Sequence, residues 1–360
     1  MNPHWKQALA GLFLLLWMPL TASCQTTPTP PKKPHHTEDG FQNLTPTTFR
    51  GLDQVAKWYW QRLWDGIPDR KDSRPYFPLA ENDPKFLAKN TSEPTLTWVG
   101  HATFLLQIGG VNILTDPHFS ERASPFSWAG PKRLVPPGLT LEQLPKIDIV
   151  VISHNHYDHL DIATVKALAA RPEKPRFFVP LGIKAFLTDL EIENVEELDW
   201  WDETAHRGIQ LALVPAQHFS RRGAFDANET LWGGWMVLHP SFRFYHAGDT
   251  GYGDFFQEIQ ERYKPIDLSA IPIGAYEPRW FMKDVHLNPR DAVMAHQDLA
   301  THYSVGMHWG TFDLTDEMPE TPPVALDIAL QEKQIPKERF FVMQHGETKR
   351  LQPLLRKTSR

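Results

Sequence analysis

Short apolar runs separated by turn residues fill most of the chain from residue 94 onward. Leu96–Val99, Phe104–Ile108 and Val111–Thr115 have the length and composition of strands, and Gly109-Gly110 is typical of a hairpin turn. Strands and helices then alternate, which predicts a layered α/β fold. Further strands are predicted at 147–152, Phe177–Val179, Val195–Leu198, Ile209–Val214, Trp232–Leu238 and Phe340–Met343, and helices at Ile162–Ala170 and Ile183–Asp189.

An additional helix is predicted before this region, at Leu52–Trp64. Its apolar positions share one face with helical spacing, which favours packing on the core. Trp58, Trp60 and Trp64 widen its aromatic surface, so a membrane-facing helix is the alternative. The residues assigned to the core face are Leu52, Val55, Ala56, Tyr59 and Leu63.

The densest chemistry lies directly after the buried strand 147–152, in the order His154, His156, Asp158, His159. Asp161 is placed to cap the helix that follows, so these side chains occupy a strand-to-helix turn. Imidazole and carboxylate groups are the ligands of zinc-type ions, and one such turn can serve two neighbouring metals. A solvated polar turn is the alternative, and four ligand-type residues in six positions disfavour it.

Three more ligand-type residues follow short apolar stretches, as ligands at strand ends do: His218, Asp249 and His308. In this order the set resembles the metallo-β-lactamase superfamily. The resemblance implies a single catalytic domain with a four-layer αββα sandwich and two divalent metal ions. Zinc is favoured, although iron or manganese would accept the same ligands. It assigns His154, His156 and His218 to one metal, Asp158, His159 and His308 to the other, and Asp249 to both. Supporting roles are expected for His101 and Asp116.

Longer motifs resemble the N-acylphosphatidylethanolamine-hydrolysing phospholipase D family; they lie at 94–103, 114–117, 198–201, 247–252 and 270–283. The family implies cleavage of that lipid to an N-acylethanolamine and phosphatidic acid by a hydroxide bridging two metals. Asp158 would orient this hydroxide and take its proton, and His286 would contact the phosphate or protonate the leaving oxygen. Residues expected to contact the substrate are Tyr157, Trp128, Tyr276 and His286, with Trp280, Phe281, Met282 and the loop 117–146 as further candidates.

The amino-terminal residues 1–23 have the pattern of an export signal, with an apolar run too short to span a bilayer. Small residues precede Cys24, the only cysteine, which resembles a lipoprotein attachment site. A plain secretory signal or an uncleaved anchor is the alternative. We expect a lipid-anchored protein of the bacterial envelope facing the periplasm, with the outer membrane favoured by Gln25.

The predicted organisation continues with a proline-rich flexible tether at 24–50. Its adjacent His35 and His36 are expected to be solvated linker residues, with metal contact as the alternative. A helical extension follows at 51–93, the hydrolase domain at 94–350 and a basic tail at 351–360.

Composition narrows the function classes further. A net charge of −6 gives no basic surface for nucleic acid, and 41% apolar with 22% charged residues is typical of a globular protein. Nucleic acid is therefore not an expected partner. The family resemblance and the predicted lipid anchor imply a membrane phospholipid substrate and the membrane itself as partners; a homodimer is left open. The alternatives are a metal-dependent lactonase or phosphodiesterase for a small soluble substrate, and a non-catalytic envelope lipoprotein.

Overall fold

The computed structural model describes residues 33–47, 52–64 and 77–352. The predicted signal, Cys24 and all but two residues of the predicted basic tail lie outside these ranges. The chain divides into two units after Pro34, and the following description concerns the second unit. Within the described residues, no helix combines the length and hydropathy needed to cross a bilayer.

Fourteen strands of the described residues form two seven-stranded mixed sheets. In chain order they are β1 (Thr95–Gly100), β2 (Thr103–Ile108), β3 (Val111–Thr115), β4 (Ile149–Val151), β5 (Arg176–Pro180), β6 (Val195–Leu198), β7 (Glu203–His206), β8 (Ile209–Val214), β9 (Gly234–His239), β10 (Phe242–His246), β11 (Leu268–Pro272), β12 (Tyr303–Met307), β13 (Phe340–Phe341) and β14 (Thr348–Arg350). The first sheet has the order β14-β1-β2-β3-β4-β5-β6, and the second has the order β13-β12-β11-β10-β9-β8-β7.

Each sheet changes from antiparallel to parallel pairing. In the first, β14 to β3 pair antiparallel and β3 to β6 pair parallel. In the second, β7 to β10 pair antiparallel and β10 to β13 pair parallel. Parallel strands need a long crossover connection, which is usually a helix. The crossovers here contain helices except for that from β3 to β4, which is the long loop 116–148. The helices are α1 (Leu52–Trp64), α2 (Pro84–Lys89), α3 (Ile162–Ala169), α4 (Ile183–Asp189), α5 (Phe255–Tyr263), α6 (Arg279–Met282), α7 (Pro289–Asp298) and α8 (Thr321–Glu332).

The side-chain alternation of the strands separates two apolar layers. In β1 and β2, Leu96, Trp98 and Phe104 join the core shared with the second sheet, whereas Val99 and Leu105 point to the other face. That other face is covered by α3 and α4. On the second sheet, α7 packs on β11 and contacts α5 and α8. The predicted sandwich of two sheets between helical layers is thus the observed α/β architecture.

The predicted strands are confirmed, with bounds that shift by one or two residues. The predicted hairpin turn is also confirmed, because Gly109 and Gly110 both have positive φ, at 59° and 76°. Both glycines therefore adopt the left-handed conformation that a two-residue hairpin turn requires.

Several elements were not predicted, among them β7, β11, β14, α5, α6, α7 and α8. The strand β14 consists of Thr348, Lys349 and Arg350, whose side chains carry no apolar signal, and it is defined by its pairing with β1 at the sheet edge. Tertiary pairing of this kind overrides local propensity.

The predicted core face of α1 is wrong in part. Ala56 and Leu63 are exposed, and Leu63 retains 82% of its accessible surface. Trp58 packs inward instead: its ring stacks on Phe281 at 5.1 Å, and its Nε1 donates to Asp316 at 2.7 Å. The helix therefore contacts the domain through a tryptophan and turns other apolar side chains to solvent.

The prediction that His35 and His36 are solvated linker residues is also wrong. His35 is buried and stacks on Trp200 at 4.3 Å between ring centroids. The Nε2 atoms of His35 and His36 lie 2.6 and 2.9 Å from the two carboxylate oxygens of Asp199. Residues 35–47, which we call the amino-terminal strap, are thus fixed to the domain at their first two positions.

Candidate metal centre

The predicted ligand turn lies between β4 and α3. Asp161 caps α3 as predicted, because its side chain accepts a hydrogen bond from the Ala163 N–H. The same carboxylate accepts from the Ser120 N–H and hydroxyl, which ties the turn to the segment after β3. These hydrogen bonds fix the end of the ligand turn that leads into α3.

The first ligand group contains His154, His156, His218 and Asp249. Nδ1 of His156 lies 2.8 Å from Nε2 of His154 and 3.2 Å from Nε2 of His218. Oδ2 of Asp249 lies 3.9 Å from His154 Nε2 and 3.8 Å from His218 Nε2. Three imidazoles and a carboxylate thus converge within the reach of one ion.

The second ligand group contains Asp158, His159 and His308, with His101 beside them. Nε2 of His308 and of His159 lie 3.3 and 3.5 Å from Oδ2 of Asp158. Asp249 reaches this group as well, at 3.2 Å from His159 Nε2 and 3.1 Å from His308 Nε2. Asp249 therefore lies between the two groups, and the structure brings all seven predicted ligands together.

The donor atoms fit a bound cation. Nε2 of His159, Nε2 of His308 and Oδ1 of Asp249 are buried and have no hydrogen-bond partner of acceptable geometry. Buried polar atoms are nearly always satisfied, so orphans that point into one space indicate a missing partner. Imidazole nitrogens and carboxylate oxygens are the ligands that zinc-type ions take.

Burial and charge set the protonation of the ligands. Burial lowers the pKa of His156 to about 3 and that of His218 to about 4, so both imidazoles are neutral. Burial alone would also lower the pKa of His308, but Asp249 and Asp158 raise it to about 9. A proton on His308 offsets the buried carboxylates when no cation is bound, and metal binding must displace it.

Asp116 has the supporting role that was expected. Its carboxylate accepts from Nδ1 of His159 and from Nε2 of His246, each at 2.9 Å. It also accepts from the Ser153 N–H at 2.6 Å and hydroxyl at 2.7 Å. His246 was not predicted, since a histidine at the end of an apolar run gives no sign of its partner.

His101 supports the other carboxylate. Its Nε2 lies 2.8 Å from Oδ2 of Asp158, and burial together with the charge of His308 lowers its pKa to about 3. His101, Asp116 and His308 all have positive φ, at 53°, 36° and 63°. Non-glycine residues rarely adopt this conformation, and such strain concentrates at functional sites.

Gly248 precedes Asp249 and cannot be replaced without displacing the turn. Its φ is 61°, and an added Cβ would lie 2.6 Å from the Cβ of Ser153. The glycine thus allows the Asp249 turn to approach the ligand turn closely.

An apolar cavity of about 230 Å³ opens beside the centre. His218 and His286 are among its lining residues, and His286 lies within ligand distance of Asp249 and His308. Apolar side chains form much of the remaining lining, among them Val55, Phe219, Phe281 and Met282. Of the predicted substrate contacts, His286, Phe281 and Met282 therefore border this cavity.

The other predicted substrate contacts lie elsewhere. Trp128 is 77% exposed and packs on Phe126, and no residue of the loop 117–146 lines the cavity. The hydroxyl of Tyr157 donates to the Arg222 carbonyl at 2.8 Å. Tyr276 is buried, with its N–H directed at Glu317. The substrate roles of Trp128, Tyr157 and Tyr276 stay predictions.

His35, His36 and Asp199 form a further group of ligand-type residues. This group differs from the main centre in its hydrogen bonding. Within the described part of the chain, every buried side-chain nitrogen and oxygen of this group has a hydrogen-bond partner. Hydrogen bonds account for the contacts, so we describe this trio as an anchor of the strap.

Comparison with known proteins agrees with this geometry. The profile of the β-lactamase superfamily domain matches residues 111–309, which include all seven ligands. The chain belongs to the metallo-β-lactamase superfamily. It is a metal-dependent hydrolase of that superfamily. Its fold is similar to that of Igni18, a metallo hydrolase from Ignicoccus hospitalis, with a TM-score of 0.54 and 25% sequence identity. This match covers 72% of this chain and 98% of the Igni18 chain.

Curated relatives include two named N-acyl-phosphatidylethanolamine-hydrolyzing phospholipases D. The Caenorhabditis elegans protein is 46% identical over 61% of this chain and 64% of its own length. The mitochondrial Saccharomyces cerevisiae protein is 35% identical over 70% of this chain and 55% of its own length. An uncharacterized Mycobacterium tuberculosis protein, Rv0906, is 41% identical over 79% of this chain and 76% of its own length. The matches thus cover less than two thirds of either named phospholipase.

We expect Asp116→Asn to weaken metal binding by about 10- to 100-fold. The charged carboxylate accepts hydrogen bonds that orient His159, His246 and Ser153, and the neutral amide of asparagine replaces that charge. Competition with a chromophoric chelator measures this affinity. Asp327→Asn, at an exposed ion pair with Lys337, is the matched control and should bind metal as the unaltered protein does. Equal affinity in both variants would contradict the supporting role of Asp116.

Proposed function

We propose that this protein hydrolyses N-acylphosphatidylethanolamine to an N-acylethanolamine and phosphatidic acid, using two divalent ions, with zinc favoured. The observation that carries the proposal is the apolar cavity lined in part by His218 and His286, which belong to the groups of ligand-type residues. A long acyl chain needs such a surface next to the reacting phosphate, and the two relatives named for this activity support the choice.

The two ligand groups divide as the superfamily pattern implies. His154, His156 and His218 would hold one ion, Asp158, His159 and His308 the other, with Asp249 shared. When bound, the ions would lower the pKa of a water and neutralise phosphoryl oxygens.

The chain's own residues then have distinct roles. His101 holds Asp158 in place at 2.8 Å, so that this carboxylate can orient the attacking water and accept its proton. Burial lowers the pKa of His286 well below its usual range, so its imidazole is neutral. Nδ1 of His286 is buried without a partner, and we assign it to a phosphoryl oxygen of the substrate.

The reaction is a balanced hydrolysis. The water oxygen forms a bond to phosphorus, and the bond between phosphorus and the ethanolamine oxygen breaks. One proton of the water passes to the leaving oxygen, which yields the N-acylethanolamine alcohol, and the phosphate remains on the diacylglycerol as phosphatidic acid.

Exposed aromatic side chains near the cavity support a lipid substrate. Trp60 and Trp64 on α1 are 64% and 78% exposed, and Val55 of the same helix lines the cavity. Trp280, on α6 beside the cavity residues Phe281 and Met282, is also exposed. Amphipathic aromatic residues favour the membrane interface. Lipid attachment at Cys24 and an envelope location remain part of the proposal.

The decisive assay compares substrates at matched metal content. We expect hydrolysis of long-chain N-acylphosphatidylethanolamine in vesicles and little or none of phosphatidylcholine or a panel of lactones. Preference for a lactone or a short soluble phosphodiester would replace the proposed substrate, and a protein with neither metal nor activity would indicate a non-catalytic lipoprotein.

His286→Ala should lower turnover by about 100-fold or more while leaving metal content unchanged, because His286 is assigned to the substrate and not to an ion. Turnover and metal per chain are measured on the same preparation. Parallel loss of metal and turnover would make His286 a structural or ligating residue.

Trp60→Ser combined with Trp64→Ser should reduce vesicle binding by about tenfold or more, because two large exposed side chains no longer enter the lipid. Trp58 is left unchanged, since it is buried against Phe281. The control is Val324→Ser with Ile328→Ser, an exposed apolar pair on α8. Co-sedimentation with vesicles measures the effect, and equal binding by both double variants would argue against membrane contact through α1.

A further inference from the structure

The amino-terminal strap contacts the metal centre at the backbone of His218. Asn43 donates from Nδ2 to the His218 carbonyl at 2.8 Å and accepts at Oδ1 from the His218 N–H at 3.1 Å. A primary amide carries one acceptor and one donor group in a single plane, which matches both polar groups of one peptide residue. Asn43 therefore fixes the backbone of a ligand, as a neighbouring strand would.

His218 needs this support because it lies in the loop after β8 and not in a strand. One side of the loop is held by the Asp249 turn, where the Gly251 N–H donates to the Gln217 carbonyl at 2.7 Å. The other side is held by the strap, where Gln217 Nε2 donates to the Thr45 carbonyl at 3.0 Å. Trp232 Nε1 also donates to Asn43 Oδ1, at 3.2 Å.

The strap itself is fixed to the domain at His35, His36 and Phe41. His35 and His36 bond to Asp199, and the Phe41 N–H donates to the Asn228 carbonyl at 2.9 Å. Gly40 lies so close to this partner that an added Cβ would be 2.1 Å from the Asn228 oxygen. These contacts set where Asn43 lies relative to the His218 loop.

We propose that Asn43 is a positioning residue of the metal centre, which the strap completes from outside the superfamily domain at 111–309. Asn43 acts through the His218 backbone and sets the direction from which His218 approaches the ion. The inference rests on the metal centre of the proposed function and is independent of the identity of the lipid.

The test compares Asn43→Ala, Asn43→Asp and Thr45→Ala. Asn43→Ala removes both hydrogen bonds to His218, and we expect metal affinity to fall by about tenfold, at the lower end of losses seen for outer partners of ligands. Asn43→Asp keeps the acceptor and loses the donor, so its loss should be intermediate. Thr45→Ala is the matched control, because the Thr45 side chain is exposed and only its carbonyl bonds to Gln217.

Chelator competition measures the affinity of the folded protein, and the absorption bands of the cobalt-substituted protein report ligand geometry. Weaker binding and altered bands in Asn43→Ala, with Thr45→Ala unchanged, support the proposal. Unaltered affinity and bands in Asn43→Ala overturn it, even if that variant is less stable. If Asn43→Ala does not fold, the same comparison between Asn43→Asp and Thr45→Ala decides. Because no substrate enters the assay, a wrong lipid assignment does not affect the outcome.

Discussion

Three carboxylates impose the constraint on which the rest of the centre depends: those of Asp116 and Asp249, which are buried, and that of Asp158, which is largely buried. Burial alone would raise the pKa of each, yet neighbouring imidazoles keep each one ionised. Buried negative charge is costly unless it is paired. The cluster therefore requires positive charge nearby, which protons on His159 and His308 supply in the absence of an ion and bound metal would supply in its presence.

The fold meets this requirement by bringing loops of both sheets together. The ligand turn follows β4 of the first sheet, while the loops after β8, β10 and β12 of the second sheet carry His218, Asp249 and His308. Positive φ at His101, Asp116 and His308 places backbone strain at the same edge. The apolar layers around the sheets stabilise the domain against that strain.

Sequence reasoning could find the parts of this arrangement that have local signals. A buried strand followed by His154, His156, Asp158 and His159 is such a signal, and the strands of the first sheet have regular apolar patterns. The partnership of His246 with Asp116 has none, since it joins residues 130 positions apart. The exposed face of α1 was missed for a related reason: helical spacing predicts an apolar face but not whether anything covers it.

The strap shows most clearly that local sequence patterns do not predict contacts with residues far along the chain. Its proline-rich composition is typical of a linker, and composition reports only how little apolar surface a segment can bury by itself. Residues 35–47 gain order instead from partners far along the chain, Asp199, His218 and Asn228. Since Asn43 both holds His218 and lines the cavity, a shift of the strap would alter the ligand geometry and the cavity together. If the substrate occupies this cavity as proposed, its contact with this wall and metal binding would be coupled through one side chain.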